Sequence, residues 1–203
     1  MMRFKSGKCF MRISLAAFLV LFVGGCSRLG IGGGGAPERQ YYLLSAAGPA
    51  PARSGLGVGV GPVTLAPFLT ERQNLQFQTS ANRLTFSQQH LWAGDLEDEF
   101  KRVLATDLGR RLGTGNLKQY PWQNESELDF QVTVEVTRFQ GAPDGESVLE
   151  ATWRAYELPS GRLVANRNTT LTDDLRSDGF EELAASQSRL VDRLAGVIAS
   201  ALD

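Results

Sequence analysis

The most specific chemistry in this sequence is written at Val23-Gly24-Gly25-Cys26. A cysteine preceded by small residues, behind a basic start and a short apolar run, marks a secretory signal that is cut between Gly25 and Cys26. The Cys26 sulfur is expected to carry a covalent lipid, palmitate among its acyl groups. The other residues able to do chemistry are sparse. His90 is the single histidine, and no cysteine follows Cys26. Ser-His-Asp and Cys-His schemes therefore have one candidate base and no supporting motif, since G-x-S-x-G and H-E-x-x-H are both absent. A zinc site lacks ligands. Carboxylates gather at Asp173-Asp174 and Asp178-Gly179-Phe180-Glu181-Glu182, but without the alternating oxygens and distant Glu of a calcium loop. They are expected to cap and solvate the amino end of a helix. No catalytic residue, no metal and no cofactor beyond the lipid on Cys26 is expected.

The elements around these residues fall into three stretches. Residues 1–25 form the signal, with basic residues from Arg3 to Arg12 and an apolar run from Ile13 to Val23. At about 1.5 Å per residue that run is too short to cross a roughly 30 Å hydrocarbon core, which favours a cleaved signal over a retained anchor. Residues 26–40 read as a lipidated, glycine-rich tether carrying Gly30 and Gly32 to Gly35. Ser27, in place of Asp, resembles the signal for export to the outer membrane in enteric-type bacteria. Residues 41–203 form one domain. With the signal removed, 17 Lys plus Arg face 22 Asp plus Glu, an acidic balance that argues against a nucleic-acid partner. At 42% hydrophobic residues the chain can bury a core without disulfides.

Within the domain, Tyr41 to Ser45 is a short strand candidate. Gly57 to Leu65 alternates glycine with valine, a strand whose glycine face another element must approach closely. It does not match the spacing of a nucleotide-binding G-x-G-x-x-G. Leu75 to Ser80 and Arg83 to Phe86 flank Ala81-Asn82 as a hairpin. Trp92 to Leu112 is a helix with Leu96, Phe100, Val103, Leu104, Leu108 and Leu112 on one face, and it places His90 at its entrance. Leu117 to Trp122 is a short strand. Phe130 to Thr137, Val148 to Tyr156 and Arg162 to Thr172, joined by turns at Pro143-Asp144-Gly145 and Pro159-Ser160-Gly161, form an antiparallel meander. Phe180 to Leu202 is a second amphipathic helix. The fold class is α/β: a single mixed β-sheet, with the meander, and two main helices packed on it. Ala66 to Asn74 reads as a loop in which Phe68 and Leu69 either form an exposed contact patch or tuck under the sheet.

Pro67-Phe68-Leu69 with Arg72, Asn82-Arg83-Leu84, Trp92-Ala93 with Leu96, Arg102-Val103-Leu104 and Asp107-Leu108 resemble the ABC-type transport auxiliary lipoproteins, relatives of paraquat-inducible protein C. Tyr41-Tyr42-Leu43-Leu44, Gly59-Val60-Gly61-Pro62-Val63 and the segment at Cys26 are also similar. The sequence departs from that family's pattern at Leu65 to Arg72, where the proline is moved, Phe68 replaces Tyr and an Asp is missing, and at Gly94-Asp95, where Glu-Pro is usual. The resemblance implies a non-enzymatic outer-membrane lipoprotein facing the periplasm. It implies work with an MCE-domain protein and an ABC permease in lipid traffic, docking of the MCE assembly at the outer membrane, and a homo-oligomer. Phe68, Leu69 and Arg72 are the candidate partner contacts. A second class of function is a periplasmic carrier holding an acyl chain in its own cavity; a third, a hydrolase, would need a polar cleft around His90.

Overall fold

The computed structural model of the protein describes residues 38–52, 55–142 and 145–202. Cys26, the signal stretch, most of the tether and the turn residues Pro143 and Asp144 lie outside the described residues. The chain order is β1 (Gln40–Tyr42), β2 (Val58–Leu65), α1 (Pro67–Thr70), β3 (Asn74–Ser80), β4 (Arg83–Trp92), α2 (Leu96–Leu112), β5 (Leu117–Gln119), β6 (Phe130–Gly141), β7 (Glu146–Glu157), β8 (Arg162–Asp174) and α3 (Phe180–Ala199).

All eight strands join one open mixed sheet. Its axis is β6, whose Phe130, Val132, Val134 and Val136 alternate with polar residues, as a strand buried on one face requires. Antiparallel β7 runs along one side of β6, and antiparallel β8 follows it. The other side of β6 carries β2 in parallel over its first half and meets β3 at Gly141. Parallel β5 lies outside β2, while β3 continues into antiparallel β4 and then parallel β1.

Helix α2 packs against β2 and β5, α3 packs against β7 and β8, and the two helices touch along their lengths. Their stripes are spent on this layer: Phe100, Leu104, Leu108, Leu190, Leu194 and Ile198 are all fully buried. Phe100 meets Phe139 of β6 edge-on at 5.3 Å, an orientation that brings a positive ring edge to a negative ring face. Glu135 and Asn168 point to solvent, consistent with one covered and one open sheet face.

The glycine strand has the close neighbour its pattern requires. A side chain at Gly59 would bring its Cβ to 2.7 Å from the Trp122 ring, and Gly61, at φ 124°, lies under Tyr120. Helix α2 begins four residues after Trp92 because β4 runs further than the sequence pattern suggests. Trp92 N–H donates to Gln73 O at 2.6 Å and Ala93 N–H to Tyr42 O at 2.8 Å, so strand pairing claims these residues. Asp95 then caps the helix, its carboxylate accepting from Asp98 N–H at 3.0 Å, and Gly113 closes it in the left-handed conformation. His90 is accordingly a strand residue of β4 and does not stand at the entrance to α2.

The acids around the start of α3 divide: Glu181 and Glu182 stand in its first turn, as expected, whereas Asp173 does not cap the helix. Gly179 occupies the cap position without a side-chain bond. Asp173 turns instead to Ser186 Oγ at 2.7 Å and Arg189 Nε at 2.8 Å, and Glu182 accepts from Arg189 at 2.6 Å. Burial acts to raise the Asp173 carboxyl, but the bonds from Ser186 and Arg189 outweigh it and hold the group below its ordinary value. The Arg189 guanidinium therefore pins the start of α3 to the end of β8.

Candidate functional site

The residues that could act chemically or bind a partner lie where the amino-terminal strand meets the two helices. Tyr42 Oη lies 2.8 Å from His90 Nδ1 and donates to Gln40 Oε1 at 2.8 Å. The imidazole stacks on Phe180 with centroids 3.9 Å apart and planes 15° from parallel. Burial pushes the Tyr42 phenol above its ordinary value, and the Glu181 charge adds to the effect. His90 is thus engaged on one nitrogen by a phenol and on one face by a phenyl ring. No carboxylate bonds it among the described residues. The arrangement ties β1 to β4 and to the first turn of α3.

After β1 the chain forms a strap across both helices. Arg102 donates to Leu44 O at 3.0 Å, Ser45 N–H to Ser188 Oγ at 3.1 Å, and Ala47 N–H to Asp107 Oδ1 at 2.8 Å. Asp107 is fully buried. Burial pushes its carboxyl above the ordinary value; the Ala47 bond opposes this, the Asp192 charge adds to it and Arg110 opposes it. Arg110 and Arg111 bridge onward to Asp192 of α3, so one network fastens strap, α2 and α3. Sequence reasoning placed Asp107 only within a family resemblance. Its spacing from Val103 and Leu104 puts a carboxylate inside the apolar stripe, and that was the available signal.

The raised Asp107 and the depressed Asp173 act on opposite sides of the ordinary aspartate value of 3.8. A group held above that value binds its proton more tightly when folded, so stability falls as pH rises from 3.8 through the raised value. Asp173 contributes stability above 3.8 that is lost as pH falls through its depressed value. Replacing Asp107 by Asn should flatten the first window while leaving the acid limb set by Asp173, which melting temperature measured against pH will read. Asp107→Ala should cost about 1–3 kcal/mol, because the Ala47 N–H loses its acceptor.

The expected partner contacts separate. Pro67 starts α1 at a position where its missing N–H costs nothing, and this turn rolls Leu69 fully into the core. Leu69 is therefore a core residue rather than part of an exposed patch. Phe68 is half-buried against the same core. Arg72 stays exposed, its guanidinium 5.3 Å from the centre of the Phe86 ring. It lines a cleft of about 210 Å³ with Thr70, Gln73, Gly94 and Asp95. Among the described residues, no three His, Cys, Asp or Glu side chains are placed to hold a metal ion, and no helix is long and apolar enough to cross a membrane.

Residues 41–199 match the model of the ABC-type transport auxiliary lipoprotein component family. The chain belongs to that family. Two solved structures share the auxiliary-lipoprotein fold seen here. One, an uncharacterized protein, is 21% identical with a TM-score of 0.69, over 82% of this chain and 99% of its own. The other, from Xanthomonas campestris and of the DUF330 family, is 15% identical with a TM-score of 0.61, over 78% of this chain and 92% of its own. No curated protein matches the sequence. This auxiliary lipoprotein is a component of an ABC-type transport system, and the family's role is accessory to transport.

Proposed function

We propose that this protein is the outer-membrane-anchored, non-enzymatic adaptor of an MCE/ABC-type intermembrane lipid transport system. Lipid on Cys26 holds it in the outer membrane on the periplasmic side, and its domain docks the MCE assembly whose ABC permease sits at the other membrane. It works as a homo-oligomer. The observation that carries the reading is the family match, which runs through nearly the whole domain. The mechanism is geometric: one end is held in a bilayer and a folded surface meets a partner.

The packing of the domain supports an adaptor over a carrier. An acyl carrier needs a sizeable apolar cavity. Here the apolar stripes of α2 and α3 are consumed by the sheet. The groove of about 420 Å³ between Leu43 and α3 is open, and its lining includes Glu181 and Arg189. The acylated protein, mixed with a purified MCE-domain protein from the same cell envelope, should co-elute with it and carry no extractable free lipid. Lipid recovered from the monomer, with no complex formed, would favour the carrier.

A further inference from the structure

We propose that Tyr41 and Leu43 rest on the surface of the bilayer that holds the lipid anchor, so that the amino-terminal strand fixes the domain's orientation at the membrane. The inference rests on the reading of Cys26 as acylated. Tyr41 is 58% and Leu43 56% exposed, the largest exposures of any large apolar side chains in the described structure. The two others well exposed, Tyr120 and Leu163, stand at the opposite end of the sheet. Tyr120 N–H donates to Val60 O near the start of β2, and Leu163 pairs with Tyr156 near the start of β8. Strand β1 lies at the end where His90 stacks on Phe180 and β3 meets the last residue of β6.

Connectivity selects between the two ends. Fourteen residues lie between Cys26 and Tyr41, a span of at most about 50 Å fully extended. The twelve residues of β6 alone run about 40 Å from one end to the other. Tyr41 is level with Asn74, three residues short of the Phe77–Gly141 pair, so bringing the far end to the bilayer would require the connecting segment to run back about 25 Å along the sheet, about half its full extension, at an added loss of chain entropy. Seating β1 there requires no such extension. The strap bonds from Arg102, Asp107 and Ser188 hold the chain just after β1 to the helices, so contact at β1 orients the whole domain.

The residue chemistry suits a lipid interface. A tyrosine presents an apolar ring and a polar hydroxyl to the headgroup boundary, and leucine presents only hydrocarbon. Arg39 is exposed and has no ion pair among the described residues, but Glu38 is exposed beside it and Glu181 faces Tyr42. Charge therefore contributes no net attraction to an anionic surface, and the contact depends on local concentration supplied by the anchor. It should be insensitive to salt.

The test uses the acylated full chain in vesicles of phosphatidylethanolamine and phosphatidylglycerol. No cysteine follows Cys26, so Leu43→Cys and, separately, Leu163→Cys each give a single thiol for a nitroxide. The acyl mass on the amino terminus is read first. At position 43 the nitroxide should be several-fold more accessible to oxygen than to a water-soluble nickel complex, relative to position 163, and Tyr41→Cys should behave as position 43 does. Equal aqueous accessibility at 43, 41 and 163 in a chain of confirmed acyl mass would overturn the inference and leave the lipoprotein reading intact. A chain without acyl mass would remove both.

Discussion

Replacing Trp153 by alanine should lower the unfolding free energy by about 3–5 kcal/mol, the range for truncating a large buried aromatic. The side chain is fully buried in β7, in register between Val134 of β6 and Arg167 of β8. Its indole N–H donates to Thr169 Oγ1 at 3.0 Å, and the Arg167 guanidinium lies 5.9 Å from its ring centre. Truncation would empty the largest fully buried side-chain volume of the domain and leave Thr169 without that donor. Because domains of this size are stable by about 5–15 kcal/mol, the loss would be a large fraction of the total. Urea unfolding monitored by far-ultraviolet circular dichroism should show a lower midpoint with an unchanged slope. A cost below about 1 kcal/mol would mean that Trp153 is not packed in the core between β6 and β8.

Trp153 belongs to the part of the fold that its sequence announces. The period-two pattern from Phe130 and the turns after β6 and β7 specify the meander, because a strand buried on one face must alternate. The apolar stripe of α2 is equally plain, and its end at Gly113 follows from the left-handed turn there. The start of that helix is less legible. Trp92 suits either a strand or a helix, and only the long-range bonds to Gln73 and Tyr42 decide the matter. Leu69 illustrates the same limit: a four-residue turn starting at Pro67 carries too little periodicity to show which way its leucine faces. The strap was hidden for a different reason. Its bonds join Leu44, Ser45 and Ala47 to residues 58 to 143 positions away, and no local pattern encodes such pairings.

The same split separates the two halves of the functional account. Family membership follows from residues distributed from Tyr41 onward, whereas the proposed anchor rests on one cysteine outside the described residues. His90 shows how the folded domain changes a reading. The sole histidine is the natural base to consider in the sequence, yet its neighbours are Tyr42 and Phe180, which make it a clamp for β1.

Cys26→Ala should have the largest effect on location while leaving the fold untouched, since the domain from Glu38 onward makes its own core. With no thiol to acylate, the protein loses its hydrocarbon anchor, and a small exposed apolar contact alone cannot hold a domain on a bilayer. The most direct measurement of the account is therefore membrane flotation of wild type and Cys26→Ala, combined with mass analysis of the amino terminus. Wild type should float with outer-membrane fractions and carry acyl mass on Cys26, and the variant should remain in the soluble periplasmic fraction with an unchanged circular dichroism spectrum. A variant that still floats and is still acylated would contradict the account.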